Sequence, residues 1–499
     1  MQMAKAKFGI QPTQQDVQPV LNQLEQGQLE AACEGARGLT KRFPKHFFAF
    51  NLLGTALSGL GRSAEAIEAY QRAVKLEPRM ADLHFNLGFA LAAADRLEPA
   101  SASYRKALQI NPKFFEAWGN LGTLAQRRGR LDEAISSYRK ALSIHEDAQG
   151  QFNLATALRD SGRLEEAIAA YTRSLALGPD NPDTHNNLGE TLRDQGRMDA
   201  AVEAYRAALQ RDHKHPRANY NMAEYHVYAH QYAQAVPYFE RSGLDDFEER
   251  VLYCLYKSEQ FSAFKTGLDR MLASGPHTRP FLATLSAHYA RNFATEDACR
   301  FCPNGLEFVY RRSIPELTGD NSKLRQQLMR DIAQVAIEER SQGRLHYGVQ
   351  SAGNLFKRPE SSFRKLGALV RQEFERYRTQ FAGSDCALIT HFPRTLEFTS
   401  SWYVRMQQGG HLDAHIHEIG WISGAVYLAM PPAGAADEGA FEYGMHGDDL
   451  PDRGVAFPVG RVLPEVGDIV LFPSSLFHRT IPFNSDVERV CIAFDLRPE

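Results

Sequence analysis

Small and large apolar positions recur with a fixed period through the first half of the chain. Tyr70, Tyr104, Tyr138, Tyr171 and Tyr205 are separated by 34, 34, 33 and 34 residues. Gly54, Gly88 and Gly122 share that register, which Gly189 rejoins, and Ala66, Ala100, Ala134, Ala167, Ala201 and Ala235 follow it. Pro78, Pro112 and Pro179 close three of the units. Each unit reads as helix–turn–helix, with small residues letting the helices approach and large ones filling the space between them. One unit cannot bury its apolar face alone, so the pattern predicts an all-α stack over residues 1–242. Residues 243–299 stay helical but lose the register, and read as a cap or linker. After residue 300 the texture changes. Amphipathic helices are predicted at 321–340 and 361–379. Short apolar runs follow at Ser401–Met406, Trp421–Met430, Ala440–Tyr443, Asp468–Phe472 and Arg489–Leu496, punctuated by glycine and proline. These predict an antiparallel jelly roll over about 400–497, within a domain of 300–499 and flanked by helices.

The repeat pattern is that of tetratricopeptide repeats. In each of five units an asparagine stands two residues before the small residue of the first helix: Asn86, Asn120, Asn153, Asn187 and Asn221. Their amides offer both donor and acceptor to an extended backbone, and the ladder resembles that of the O-GlcNAc transferase solenoid. Peptide binding in the repeat groove is the expectation; hydrogen bonding between repeats is the competing one.

Composition narrows the class. The net charge of -3 and pI of about 6.6 give no electrostatic footprint for nucleic acid or an anionic membrane. No apolar run is long enough for a membrane helix, and no signal peptide is expected at the N-terminus. Six scattered cysteines suit a reducing cytoplasm, and Cys299-x-x-Cys302 lacks a second pair for zinc, so both read as packing residues. The oligomeric state is not legible.

Histidines concentrate near the C-terminus. Residues 411–417 read His-Leu-Asp-Ala-His-Ile-His. In an extended strand His411, Asp413, His415 and His417 would share one face. His478 follows in Leu-Phe-Pro-Ser-Ser-Leu-Phe-His-Arg-Thr. The stretches G-G-H-L-D-A-H-I-H-E-I-G-W-I-S-G-A-V-Y-L, G-D-I-V-L-F-P-S-S-L-F-H-R-T-I-P-F and E-R-V-C-I-A-F-D-L resemble an iron(II)/2-oxoglutarate oxygenase family related to the prolyl and aspartyl/asparaginyl hydroxylases.

That resemblance implies a double-stranded β-helix using iron(II), 2-oxoglutarate and O2. His415 matches the first metal histidine and His478 the distal one. Arg489 matches the basic residue that holds the far carboxylate of 2-oxoglutarate, with Cys491 on the same face; apart from the resemblance, the strand aromatics Trp402, Tyr403, Trp421 and Tyr427 read as pocket lining, with core packing as the competing reading. The usual His-x-Asp/Glu pair is here His415-x-His417. Three ligand sets stay open: His415, His417 and His478; a set in which Asp413 supplies the carboxylate; or two histidines with water. The expected activity is hydroxylation of a peptide or protein side chain. The alternatives are a small-molecule oxygenase whose repeats serve assembly, and a non-catalytic repeat adaptor.

Overall fold

The computed structural model describes residues 11–275, 279–334, 339–340, 343–393, 396–432, 434 and 437–498. The chain forms two compact units that divide between Tyr225 and His226.

The first unit is helical, as the repeat pattern predicts, and ends at Tyr225, so the helix Tyr232–Ser242 of the stack expected over 1–242 falls in the second unit. Twelve helices from Gln14 to Arg211 run as pairs, followed by Pro216–Tyr228. The glycine–tyrosine register explains the pairing. A Cβ on Gly88 would stand 2.8 Å from the Tyr104 ring, and one on Gly122 would stand 2.7 Å from Tyr138. Each glycine thus lets the two helices of a unit close onto a buried tyrosine ring. Ala155 occupies the equivalent place opposite Tyr171.

The second unit carries an antiparallel sheet. Its strands are β1 (Tyr310–Ser313), β2 (Glu339–Arg340), β3 (Leu345–Ser351), β4 (Leu396–His415), β5 (Ile422–Ala429), β6 (Phe441–Gly444), β7 (Val459–Val462), β8 (Asp468–Pro473), β9 (Phe477–Thr480) and β10 (Arg489–Pro498). The order is β1-β8-β5-β10-β4-β9-β6-β7, with β3 also on β4 and β2 on β3. The 20-residue β4 gives the sheet its curl. Its first half pairs with β10, and its last residues pair with β9. Between them the register slips near Gly409, which adopts φ +77°. The alternation of β10 then sorts its side chains. Val490, Ile492, Phe494 and Leu496 enter a core with the helix Ser361–Gln380, while Arg489, Cys491, Ala493 and Asp495 line a cavity inside the curl.

The helix expected over 321–340 is shorter. It spans Lys323–Gln334, residues 335–338 lie outside the described set, and Glu339–Arg340 pair as β2 with β3. Cross-strand pairing overrides helical periodicity at that end.

Helices Phe247–Lys257 and Pro280–Asn292, from the segment expected as cap or linker, dock on the sheet of the second unit. Arg250 pairs with Glu418 at 2.6 Å, and Thr284 Oγ1 donates to the Ser475 carbonyl at 2.7 Å. Lys257 Nζ donates to the Asp448 carbonyl at 2.6 Å, and Asn292 Nδ2 to that of Pro451, also at 2.6 Å. Apolar contacts among Leu252, Phe281, Leu285, Leu450 and Phe477 complete the joint, which fixes the strand that carries His478.

His288, fully buried in this joint, sits between the Tyr256 hydroxyl at 2.7 Å and His446 Nδ1 at 2.9 Å. Burial, then repulsion from His446, pushes its pKa down to about 3. The unfolded chain takes up a proton here below about 6.5, whereas the folded chain resists until near 3. Stability from this residue is therefore intact above 6.5 and falls as pH drops. Between pH 6.5 and 5 the loss is about 2 kcal/mol at most. Denaturant midpoints should show this slope in the parent chain and a flatter one in His288→Leu; equal slopes would refute the assignment.

Candidate metal centre

His415, at the end of β4, pairs across the sheet with His478 on β9. His417 lies two residues beyond the strand, where its backbone N–H donates to the Ser474 carbonyl at 3.2 Å. The ligand-capable atoms of His415, His417 and His478 all lie within 4.8 Å of one another.

Each ring is held from behind. His415 Nδ1 meets the Asp413 carbonyl at 2.8 Å, and His478 Nδ1 meets the Leu476 carbonyl at 3.2 Å. His417 Nδ1 meets Asp495 Oδ1 at 2.5 Å, and the ring stacks on Trp402 with centroids 5.8 Å apart. A neutral imidazole that donates from Nδ1 presents a lone pair at Nε2. His417 Nε2 and His478 Nε2 are 3.2 Å apart, so two lone pairs face each other across the site. A cation between them relieves that repulsion. Metal–nitrogen bonds of about 2.1 Å at right angles would set two nitrogens about 3 Å apart, so the spacing fits one ion.

The protonation states agree with this geometry. Burial, reinforced by the neighbouring His417 ring, lowers the His415 pKa to about 4. Burial, with repulsion from His415 and His417, holds His478 well below its ordinary value. Both rings are neutral near pH 7, the form that binds metal. Asp495 is pushed up by burial, but the adjacent His417 and bonds from His417, Ser423 and Ser400 outweigh this and hold it below the usual carboxylate range. It forms the carboxylate–histidine pair that fixes a ligand's tautomer.

The same cavity, about 320 Å³, contains Arg489, Cys491, Tyr427, Gln350 and Trp402, with apolar walls from Val404, Leu412 and Phe472. Arg489 is 2 % exposed. Its Nη1 lies 3.9 Å from the sulfur atoms of Met406 and Cys491, and its guanidinium lies 5.0 Å over the Tyr427 ring and bonds the Tyr427 hydroxyl. Its buried Nε has no hydrogen-bond partner. Among the described residues no carboxylate pairs with it. A buried guanidinium of this kind favours an anion in the cavity, and a carboxylate fits its planar fork. The residues present thus fit both a metal ion and a dicarboxylate.

Two expectations need correction. Asp413 and His411 do not join the three histidines. Leu412 pairs with Thr480 and His415 with His478, so β4 carries one residue more than β9 across this interval. That bulge reverses the alternation, and His415 shares a face with Leu412 rather than with His411 and Asp413. Asp413 instead meets His346 Nε2 at 2.9 Å. Tyr403 points away from the cavity, into the core with Trp421 and Phe398, because its neighbours Trp402 and Val404 take the inner face. The sequence reading missed Asp495, though the alternation of β10 from Arg489 carries it to the same face. It also missed Gln350, on a strand with no strong apolar pattern. Cys302 packs beside Cys386 in the helical core.

An open groove of about 720 Å³ adjoins the cavity and shares His478 and Arg479 with it. In the other unit, the asparagine amides contact neighbouring side chains. Asn86 donates to Asn51 at 2.9 Å and Asn221 to Asn186 at 2.9 Å, while Asn153 accepts from Gln149 at 2.9 Å. Asn120 bonds the Tyr104 hydroxyl and Asn187 that of Tyr171. Asn221 is buried and the other four are half-buried.

Residues 400–495 match the family model described as "Putative 2OG-Fe(II) oxygenase". Tetratricopeptide-repeat models match residues 54–95, 81–114, 114–180 and 152–216. No curated protein matches the chain. Among solved structures, the chain is similar to MamA from Desulfovibrio magneticus RS-1, at 18% identity over 34% of this chain and 95% of that one, with TM-score 0.33. It is similar to YrrB, described as a TPR protein with an unusual peptide-binding site, at 19% identity over 37% and 96%, with TM-score 0.34. It is also similar to the APC/C hetero-tetramer Cut9-Hcn1, at 15% identity over 47% and 48%, with TM-score 0.39.

Proposed function

The chain being a tetratricopeptide-repeat protein with a C-terminal domain of the 2OG-Fe(II) oxygenase family, we propose that it is an iron(II)- and 2-oxoglutarate-dependent dioxygenase that hydroxylates a peptide or protein side chain. The observation that carries this reading is one cavity holding three imidazoles with converging Nε2 atoms and a buried guanidinium whose Nε is unpartnered and which no carboxylate among the described residues pairs. His415, His417 and His478 hold the iron, and Arg489 takes the far carboxylate of 2-oxoglutarate. Together with O2, these groups supply the oxidising power to hydroxylate an unactivated C–H bond.

The chain's own residues do the positioning. Backbone carbonyls of Asp413 and Leu476 and the Asp495 carboxylate aim the three rings. Depressed pKa values keep His415 and His478 neutral and ready to bind. Leu412, Val404 and Phe472 exclude water from the carboxylate end, which strengthens its pairing with Arg489. The open groove beside His478 gives a bulky side chain a path to the site. The repeats support a polypeptide as partner, with half-buried Asn86, Asn120, Asn153 and Asn187 as the amides that would meet its backbone.

The test is mass spectrometry of cellular proteins incubated with the chain, iron(II) and 2-oxoglutarate. The expected result is a polypeptide gaining one oxygen, absent with His478→Ala. Succinate formation with no modified polypeptide would favour the small-molecule reading, and no succinate at all would favour the adaptor.

A further inference from the structure

The bulge that separates His411 and Asp413 from the inner histidines gathers them with a third residue. His346 on β3 pairs directly across from His411 on β4. The two rings stack with centroids 4.5 Å apart and planes 16° off parallel. Both turn Nε2 toward one carboxylate: His346 lies 2.9 Å from Asp413 Oδ2, and His411 lies 4.0 Å from Asp413 Oδ1. We infer that His346, His411 and Asp413 form a second metal site, for a divalent late transition-metal ion of the zinc class.

The donor geometry carries the argument. His411 Nδ1 meets the Gly409 carbonyl at 2.9 Å, the same backing that aims the inner histidines. With Nδ1 donating, His411 turns a lone pair toward a carboxylate oxygen that also carries lone pairs. In that neutral form neither donates to the other, and an ion between them satisfies both. The ligand-capable atoms of all three residues lie within 4.8 Å of one another. Two imidazoles and one carboxylate select zinc, cobalt, nickel or copper over magnesium or calcium, which prefer oxygen. The side chains are partly exposed, at 41 %, 28 % and 54 % for His346, His411 and Asp413, so water can complete the coordination. The site also bears on the inner one, because the Asp413 backbone carbonyl is what aims His415. An ion held by the Asp413 side chain anchors that carbonyl.

The experiment is zinc titration of the metal-free full-length chain, read as bound ions per chain by equilibrium dialysis and elemental analysis. The parent chain should bind two zinc ions, and excess magnesium should displace neither. His346→Gln and His411→Gln, both at partly exposed positions, should each bind one. His478→Ala should also bind one, which the double variant His346→Gln/His478→Ala loses. One ion in the parent chain, or two in both His346→Gln and His411→Gln, would overturn the assignment.

Discussion

Replacing His478 with alanine should abolish the iron(II)-dependent formation of succinate from 2-oxoglutarate that we propose. His478 is buried between the cavity and the groove, its Nε2 is 3.2 Å from that of His417, and its ring faces His415 at 4.3 Å between centroids. Removing it leaves two imidazoles and opens the wall between the cavity and the groove. Partners once removed from a metal ion already account for about 10–100-fold in affinity, so loss of a ligand should cost more than about 100-fold. The variant should keep its fold, since β9 remains anchored by Phe477 and the helices against it. Circular dichroism and elution volume check the fold, and succinate assay checks the chemistry. Turnover within about threefold of the parent chain would remove His478 from the metal set.

The second large effect lies at Arg489. A charged hydrogen-bond pair with a carboxylate contributes about 1.5–3 kcal/mol, and tenfold in affinity is about 1.4 kcal/mol. Arg489→Met should therefore raise the 2-oxoglutarate concentration needed for half-maximal turnover by about 10–100-fold, with metal binding unchanged. The same change should stabilise the protein in the absence of 2-oxoglutarate. A buried guanidinium with an unpartnered Nε is a cost to folding, and replacing buried charge by well-packed apolar groups of similar volume often gains about 1–4 kcal/mol. A purely structural arginine would give the reverse pattern, a less stable protein with unchanged 2-oxoglutarate dependence. Steady-state kinetics and thermal melting together separate the two.

The repeats were legible because glycine, alanine and tyrosine recur at the one spacing that brings them into contact, as Gly88 and Tyr104 do. The inner face of β10 was legible for the same reason: period two carries Arg489 and Cys491 together, and following it two more steps reaches Asp495. What strict periodicity could not reveal was the bulge between Leu412 and His415. One extra residue in β4 divides His411 and Asp413 from His415, and no local feature of His-Leu-Asp-Ala-His-Ile-His marks it. Short strands such as β7 and β9 are set by pairing partners distant in the chain, which a window of sequence does not contain. Tyr403 illustrates the same limit: only register decides whether Trp402 or Tyr403 faces the cavity.

On the proposed function, one ion and one dicarboxylate occupy the curl of the sheet together. Anaerobic calorimetry of 2-oxoglutarate against the iron(II)-loaded chain distinguishes this joint binding from independent binding. One equivalent should bind to the loaded protein, far more weakly to the metal-free protein, and not measurably to His478→Ala. Equal binding with and without iron(II), or undiminished binding to His478→Ala, would contradict it.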